Sequence, residues 1–157
     1  SDFCSAGDIV KKVWKKKNFV RANTFMTCGS YFIFGLAALG MQGIVGTRRY
    51  KQKARKYINK LNGWAKQGQP NVVHMILILQ AEKLSLSKDQ SISTMEKVRK
   101  AYDKAIASSK RSGFVHNAAY TNERAGLYCL ERGDEDYARN YFQQSDELYS
   151  EWGADGK

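Results

Sequence analysis

Apolar residues recur at helical spacing along nearly the whole chain, and short polar breaks separate the runs. The first run covers residues 8–17, where Ile9, Val10, Val13 and Trp14 stand among Lys11, Lys12, Lys15, Lys16 and Lys17. That spacing predicts a short basic amphipathic helix, with Asp8 as its N-cap. Residues 22–47 follow without one charge, bracketed by Arg21 and by Arg48 and Arg49. We read this stretch as a buried helix of a soluble domain. A membrane span, which needs about 20 mainly apolar residues, is the alternative, and it requires counting Asn23, Thr24, Thr27, Ser30 and Gln42 inside it. From Arg48 the pattern becomes regular. Tyr50, Ala54, Tyr57, Ile58, Leu61, Trp64 and Ala65 share one helical face, and Gly68 and Pro70 end that helix.

A second apolar helix is predicted over 72–86, then a polar break at 87–91. Ser93 and Glu96 have the spacing of a capping box that opens the next helix. Its apolar face is Met95, Val98, Ala101, Tyr102, Ala105 and Ile106, and it stops near Ser112 and Gly113. Residues 115–132 read as a helix ending at Gly133. Asp134 is placed to cap the last helix, in which Tyr137, Ala138, Tyr141, Phe142, Ser145, Leu148, Tyr149 and Trp152 are predicted to be buried. The tail after Gly153 is expected to fray.

Three segments repeat one phrase. A-R-K-Y-I at 54–58 matches V-R-K-A-Y at 98–102 and A-R-N-Y-F at 138–142, with offsets of 44 and 40 residues. Leu61, Ala105 and Ser145 each follow three residues after the phrase. Self-similarity at this period indicates helical hairpins that bury their faces by stacking. The last unit resembles a tetratricopeptide repeat. Ala125 and Gly126 stand at the small Leu-Gly position of its first helix, Gly133 at the turn, Ala138 and Phe142 on the second helix, and Ser145 as the next small residue. Leu39-Gly40 echoes that signature in the first unit.

The run 48–153 is also similar to the long-period tetratricopeptide-like region of large signalling ATPases and hybrid protein kinases. The phrases A-R-K-Y-I, N-V-V-H-M, S-G-F-V-H-N-A-A-Y-T-N-E-R-A-G-L-Y and Y-S-E-W-G-A carry that similarity. The period exceeds the usual length of about 34 residues, and the usual proline is missing from every unit. The resemblance implies an all-α fold: a tetratricopeptide-like α-solenoid of about three helical hairpins with a short N-terminal helix. The expected organisation is a basic segment over 1–21, a repeat domain over 22–153 with units 22–69, 71–113 and 115–153, and a tail over 154–157. The resemblance implies no chemistry, because the catalytic domains of such proteins lie outside this region.

Composition agrees with a folded helical chain. It has 157 residues, 43% hydrophobic, with one proline. The net charge of +11 is unevenly placed, since residues 1–66 hold 14 of the 26 basic residues and only Asp2 and Asp8 as acids. An anionic partner would therefore meet Lys11, Lys12, Lys15, Lys16, Lys17, Arg48, Arg49, Lys51, Lys53, Arg55, Lys56 and Lys60. The alternative is a solvated basic face with no partner. Three cysteines without a C-x-x-C pair favour a reducing intracellular compartment, cytoplasmic or organellar. The start of the chain has no signal-peptide pattern.

Motifs of phosphate-binding loops, dinucleotide-binding loops and H-E-x-x-H zinc sites do not occur. We expect no catalytic residue, no cofactor and no metal. His74 and His116 stand at helix starts, and Cys28 and Cys129 lie on apolar helices as structural thiols. The reading is a non-enzymatic interaction or scaffold module whose partner is a peptide or a neighbouring subunit. Its candidate groove residues are His74, Gln80, Asn117, Asn122 and Arg124. Two alternatives stand beside it. One is a peripheral or membrane-anchored accessory subunit that touches acidic lipid. The other, ranked lower, is nucleic-acid binding through the basic half.

Overall fold

A computed structural model describes residues 25–153, with side chains from Thr27 onward. The segment 8–17 and the lysines in it lie outside the described residues. Among those described, every regular element is helical. The order is α1 (Phe25–Val45), α2 (Arg48–Lys66), a 3-10 turn (Pro70–Val72), α3 (Val73–Ser85), α4 (Ile92–Arg111), α5 (Val115–Glu131) and α6 (Glu135–Glu151). Two compact units divide between Val72 and Val73, which separates the first helical pair from the other two.

In the first unit α1 packs against α2. The face of α2 that the periodicity singles out is the one that packs: Ala54, Tyr57, Ile58, Leu61 and Trp64 are buried. Tyr31 of α1 stands edge-on to Tyr57 and Trp64, with centroids 5.8 and 5.2 Å away. Such edge-to-face contacts add to the plain burial of the rings. The uncharged α1 is buried on one side only. Cys28, Phe32, Ala38 and Leu39 are covered, while Ile33, Ile44 and Val45 are 56%, 66% and 49% exposed. Thr27–Val45 has a mean hydropathy of 1.5 and only 28% of that window is buried, so the expectation of a wholly buried helix needs correction. By length and composition alone this helix could cross a membrane.

In the second unit α3 packs on α4, α4 on α5, and α5 on α6. One core cluster joins Ala81, Val98, Tyr102, Ile106, Ala125, Tyr128, Cys129, Ala138 and Tyr141. A smaller one joins Ala118, Ala119 and Leu148. Small residues on α5 allow the close approach of α6. Gly126 lies under the Phe142 ring, where an added Cβ would come within 2.7 Å of the ring. Gly133 ends α5 with φ +75°, a conformation that favours glycine. Its N–H donates to the Leu130 carbonyl at 3.0 Å, and the Asp134 N–H donates to the Cys129 carbonyl at 3.0 Å. These bonds satisfy the last carbonyls of the helix.

Three details differ from the sequence reading. The cap of α4 is Ser91, whose hydroxyl accepts from the Thr94 N–H at 3.2 Å; Ser93 and Glu96 are exposed inside the helix. Asp89 decides this, since it accepts from the Ser91 N–H at 2.9 Å and the Thr94 hydroxyl at 2.6 Å and so fixes the turn earlier. Asp134 occupies the cap position of α6 without a side-chain cap bond, and its carboxylate is 3.5 Å from Arg99 instead. On α6, Ala138, Tyr141, Ser145 and Leu148 are buried, but Tyr137 is 50% and Trp152 58% exposed. The Arg99 guanidinium lies 3.7 Å over the Tyr137 ring and covers one of its faces.

The contact between Gly126 and Phe142 yields a test. Gly126→Ala should destabilise the chain by about 1–2 kcal/mol in chemical denaturation, the size typical of modest overpacking. In a Phe142→Leu background the same change should cost little, because the ring that the methyl meets is gone.

Candidate functional site

Polar side chains in the second unit are organised around one carboxylate. Glu82 stands alone as an acid in the apolar α3 run, and it is buried. Arg124 of α5 donates from Nε to Oε1 at 3.0 Å and from Nη2 to Oε2 at 3.1 Å. Tyr102 of α4 donates its hydroxyl to Oε1 at 3.1 Å. Three helices therefore meet on one anion. Burial works against the Arg124 charge, but the hydrogen bonds it donates to Glu82, together with the Glu82 charge and the nearby Tyr120 and Tyr102, outweigh it and hold the guanidinium more firmly protonated than usual. Burial and the Glu82 charge push the phenols of Tyr102 and Tyr120 up.

A second contact joins α3 to α5. His74 is fully buried, with Nε2 3.0 Å from Asn117 Nδ2. With the amide donating, the imidazole accepts at Nε2 and carries its proton on Nδ1. The ring stacks on Phe114 at 4.1 Å. Burial, then the charge of His116, lowers the His74 pKa to about 4, so it is neutral near pH 7. Between α4 and α6, Tyr141 donates to Asp103 at 2.7 Å. Burial and this acceptor raise the Tyr141 phenol.

The five candidate groove residues are placed differently from one another. His74, Asn117 and Asn122 are buried, Arg124 is half-buried against Glu82, and Gln80 is exposed. They do not line one open surface, which corrects that reading. Buried polar groups on α5 find local backbone acceptors: Asn122 donates to the Ala118 carbonyl at 2.9 Å, and Thr121 to the Asn117 carbonyl at 2.6 Å. Polarity therefore did not mark exposure here.

The α2 cations are placed as expected for a surface. Arg48, Arg49, Lys51, Arg55, Lys56 and Lys60 are exposed, and Lys53 is half-buried. Lys53 lies 5.6 Å from the centroid of the Tyr50 ring and Lys60 5.2 Å from that of Trp64. No carboxylate among the described residues pairs with Arg48, Arg49, Lys51, Arg55 or Lys60. Lys11, Lys12, Lys15, Lys16 and Lys17 lie outside the described residues.

The candidate surface missed by sequence reasoning is on the α5–α6 pair. Leu127 and Leu130 are exposed on α5. An open groove of about 710 Å³ is lined by Leu130, Glu135, Ala138, Arg139, Phe142, Gln143 and Asp146. The signal in the sequence was the pair Leu127 and Leu130 on the side of α5 away from Ala125 and Cys129. Among the described residues, no group of three metal-ligating side chains comes together. Cys28 and Cys129 are buried; burial raises both thiols, Cys129 to about 11 with help from the Asp134 charge. Compared with known protein families, curated proteins and solved structures, the chain has no match.

Two measurements check the network. Glu82→Ala leaves Arg124 desolvated without its partner and should cost about 2–3 kcal/mol in urea unfolding; Arg124 is a third exposed, which discounts the penalty of a fully buried pair. The His74 pKa lies below its unfolded value of 6.5, so the unfolded chain takes up the proton first. Its contribution to stability is complete above pH 6.5 and is lost as pH falls through about 4. The melting temperature should fall across that window less steeply in His74→Gln than in the parent chain.

Proposed function

We propose that the chain is a non-catalytic protein-interaction or scaffold module built from tetratricopeptide-like helical hairpins. The observation that carries this reading is the use of polar groups in the second unit. Glu82, Arg124, Tyr102, His74, Asn117, Asp103 and Tyr141 bind one another across helices. The α5–α6 pair keeps Leu127 and Leu130 exposed, and Leu130 and half-buried Phe142 line a groove with Glu135, Arg139 and Asp146. Stacked hairpins use such faces to hold a peptide or a neighbouring subunit. The repeated phrase at offsets of 44 and 40 residues supports the same architecture, with one copy on each of α2, α4 and α6.

A second reading, a membrane-anchored accessory subunit, is favoured by one observation. The apolar window of α1 is largely uncovered, and the cationic α2 follows it directly. Acidic lipid would suit both features.

One experiment separates the readings. The tagged chain is crosslinked in its native cells, and membranes are then washed with carbonate. The module reading expects the chain in the wash, crosslinked to discrete proteins through the α5–α6 face, with those crosslinks lost in the double variant Leu127→Asp, Leu130→Asp. Retention in the washed pellet overturns it in favour of the membrane subunit.

A further inference from the structure

The α5–α6 pair differs in charge from the start of the chain. Residues 115–153 hold eight acids and three arginines. Each arginine is engaged within the unit: Arg124 by Glu82, Arg132 by the Ser87 carbonyl at 3.0 Å, and Arg139 by Asp136 at 3.8 Å. The open groove is lined by apolar Leu130, Ala138 and Phe142 and by Glu135, Arg139 and Asp146, two acids against one cation. Its length along α6 from Glu135 to Asp146 is about 16 Å at the usual helical rise. Residues 8–17 have the complementary composition. Their apolar stripe is Ile9, Val10, Val13 and Trp14, and their remaining charge is five lysines against Asp8. As a helix, those ten residues would span about 15 Å.

Resting on the interaction-module reading, we propose that the α5–α6 groove docks the basic segment 8–17 of a second copy of this chain. Ile9, Val13 and Trp14 pack against Leu130 and Phe142, and Lys11 and Lys16, which border that stripe on its two sides in a helix, face Glu135 and Asp146. This is helix-in-groove recognition, with anchors at i, i+4 and i+5. The contact is heterologous, because a basic end meets an acidic one, so further copies are able to add head to tail. Membrane or nucleic acid is disfavoured as the occupant of this groove, because its lining carries two carboxylates and one cation.

The test uses a fluorescein-labelled peptide of residues 8–17 and the full chain. Fluorescence anisotropy should show saturable binding that weakens as salt is raised. Leu130→Asp and Asp146→Lys, both on exposed side chains, should each weaken binding about tenfold or more, while circular dichroism confirms unchanged helicity. Arg139→Glu removes the cation from the groove lining and should tighten binding. Sedimentation velocity of the full chain should show concentration-dependent association that Trp14→Asp abolishes. Equal peptide affinity for the parent and all three groove variants overturns the proposal, as does a chain that stays monomeric and binds no peptide. If self-docking fails while the crosslinked partners of the chain persist, the proposal falls and the interaction-module reading stands.

Discussion

Glu82 and Arg124 form a bidentate pair across α3 and α5, and Tyr102 brings α4 to the same carboxylate. A buried charge of this kind is costly unless its lone pairs are occupied. Here the two oxygens accept three hydrogen bonds from two neighbouring helices. The register of α3 against both is therefore set by geometry and not by apolar area alone, which tolerates sliding. The apolar cluster from Ala81 to Tyr141 packs among the same three helices and α6.

The other polar contacts in the second unit serve the same end. His74 with Asn117 repeats the α3-to-α5 link near the start of α3, and Asp103 with Tyr141 links α4 to α6. Ser145 donates to the Ala119 carbonyl at 2.9 Å and ties α6 to α5. Side chains that look functional in a linear reading, a histidine and two asparagines among them, are enclosed inside the unit. What remains for partners is surface: apolar side chains on α5 and α6 edged by carboxylates, and cations along α2.

Much of the helical plan was legible in the sequence, because period and punctuation are local. The buried face of α2 follows from the recurrence of Ala54, Tyr57, Ile58, Leu61 and Trp64, and the ends of α4 and α5 from Gly113 and Gly133. The errors arose where a distant residue competes with a local rule. Asp89 moved the α4 cap to Ser91. Asp134 pairs with Arg99 where a cap bond to α6 was expected, and Tyr137 stacks on the same guanidinium. The groove residues failed for two reasons: Asn117 pairs with His74 of another helix, and Asn122 turns its amide back onto the Ala118 carbonyl of its own helix, so both sit inside.

The sequence by itself determined the helices, their lengths, the repeated phrase and the concentration of positive charge in the first part of the chain. Each depends on spacing within a few turns or on counting. Tertiary structure alone decided which polar residues are pins and which are surface. Burial depends on the neighbours that other helices bring, and the same asparagine is exposed or enclosed according to what packs over it. It also decided that α1 is covered on one side only, since apolar composition states what a helix prefers to bury and not whether enough partner surface is present to bury it.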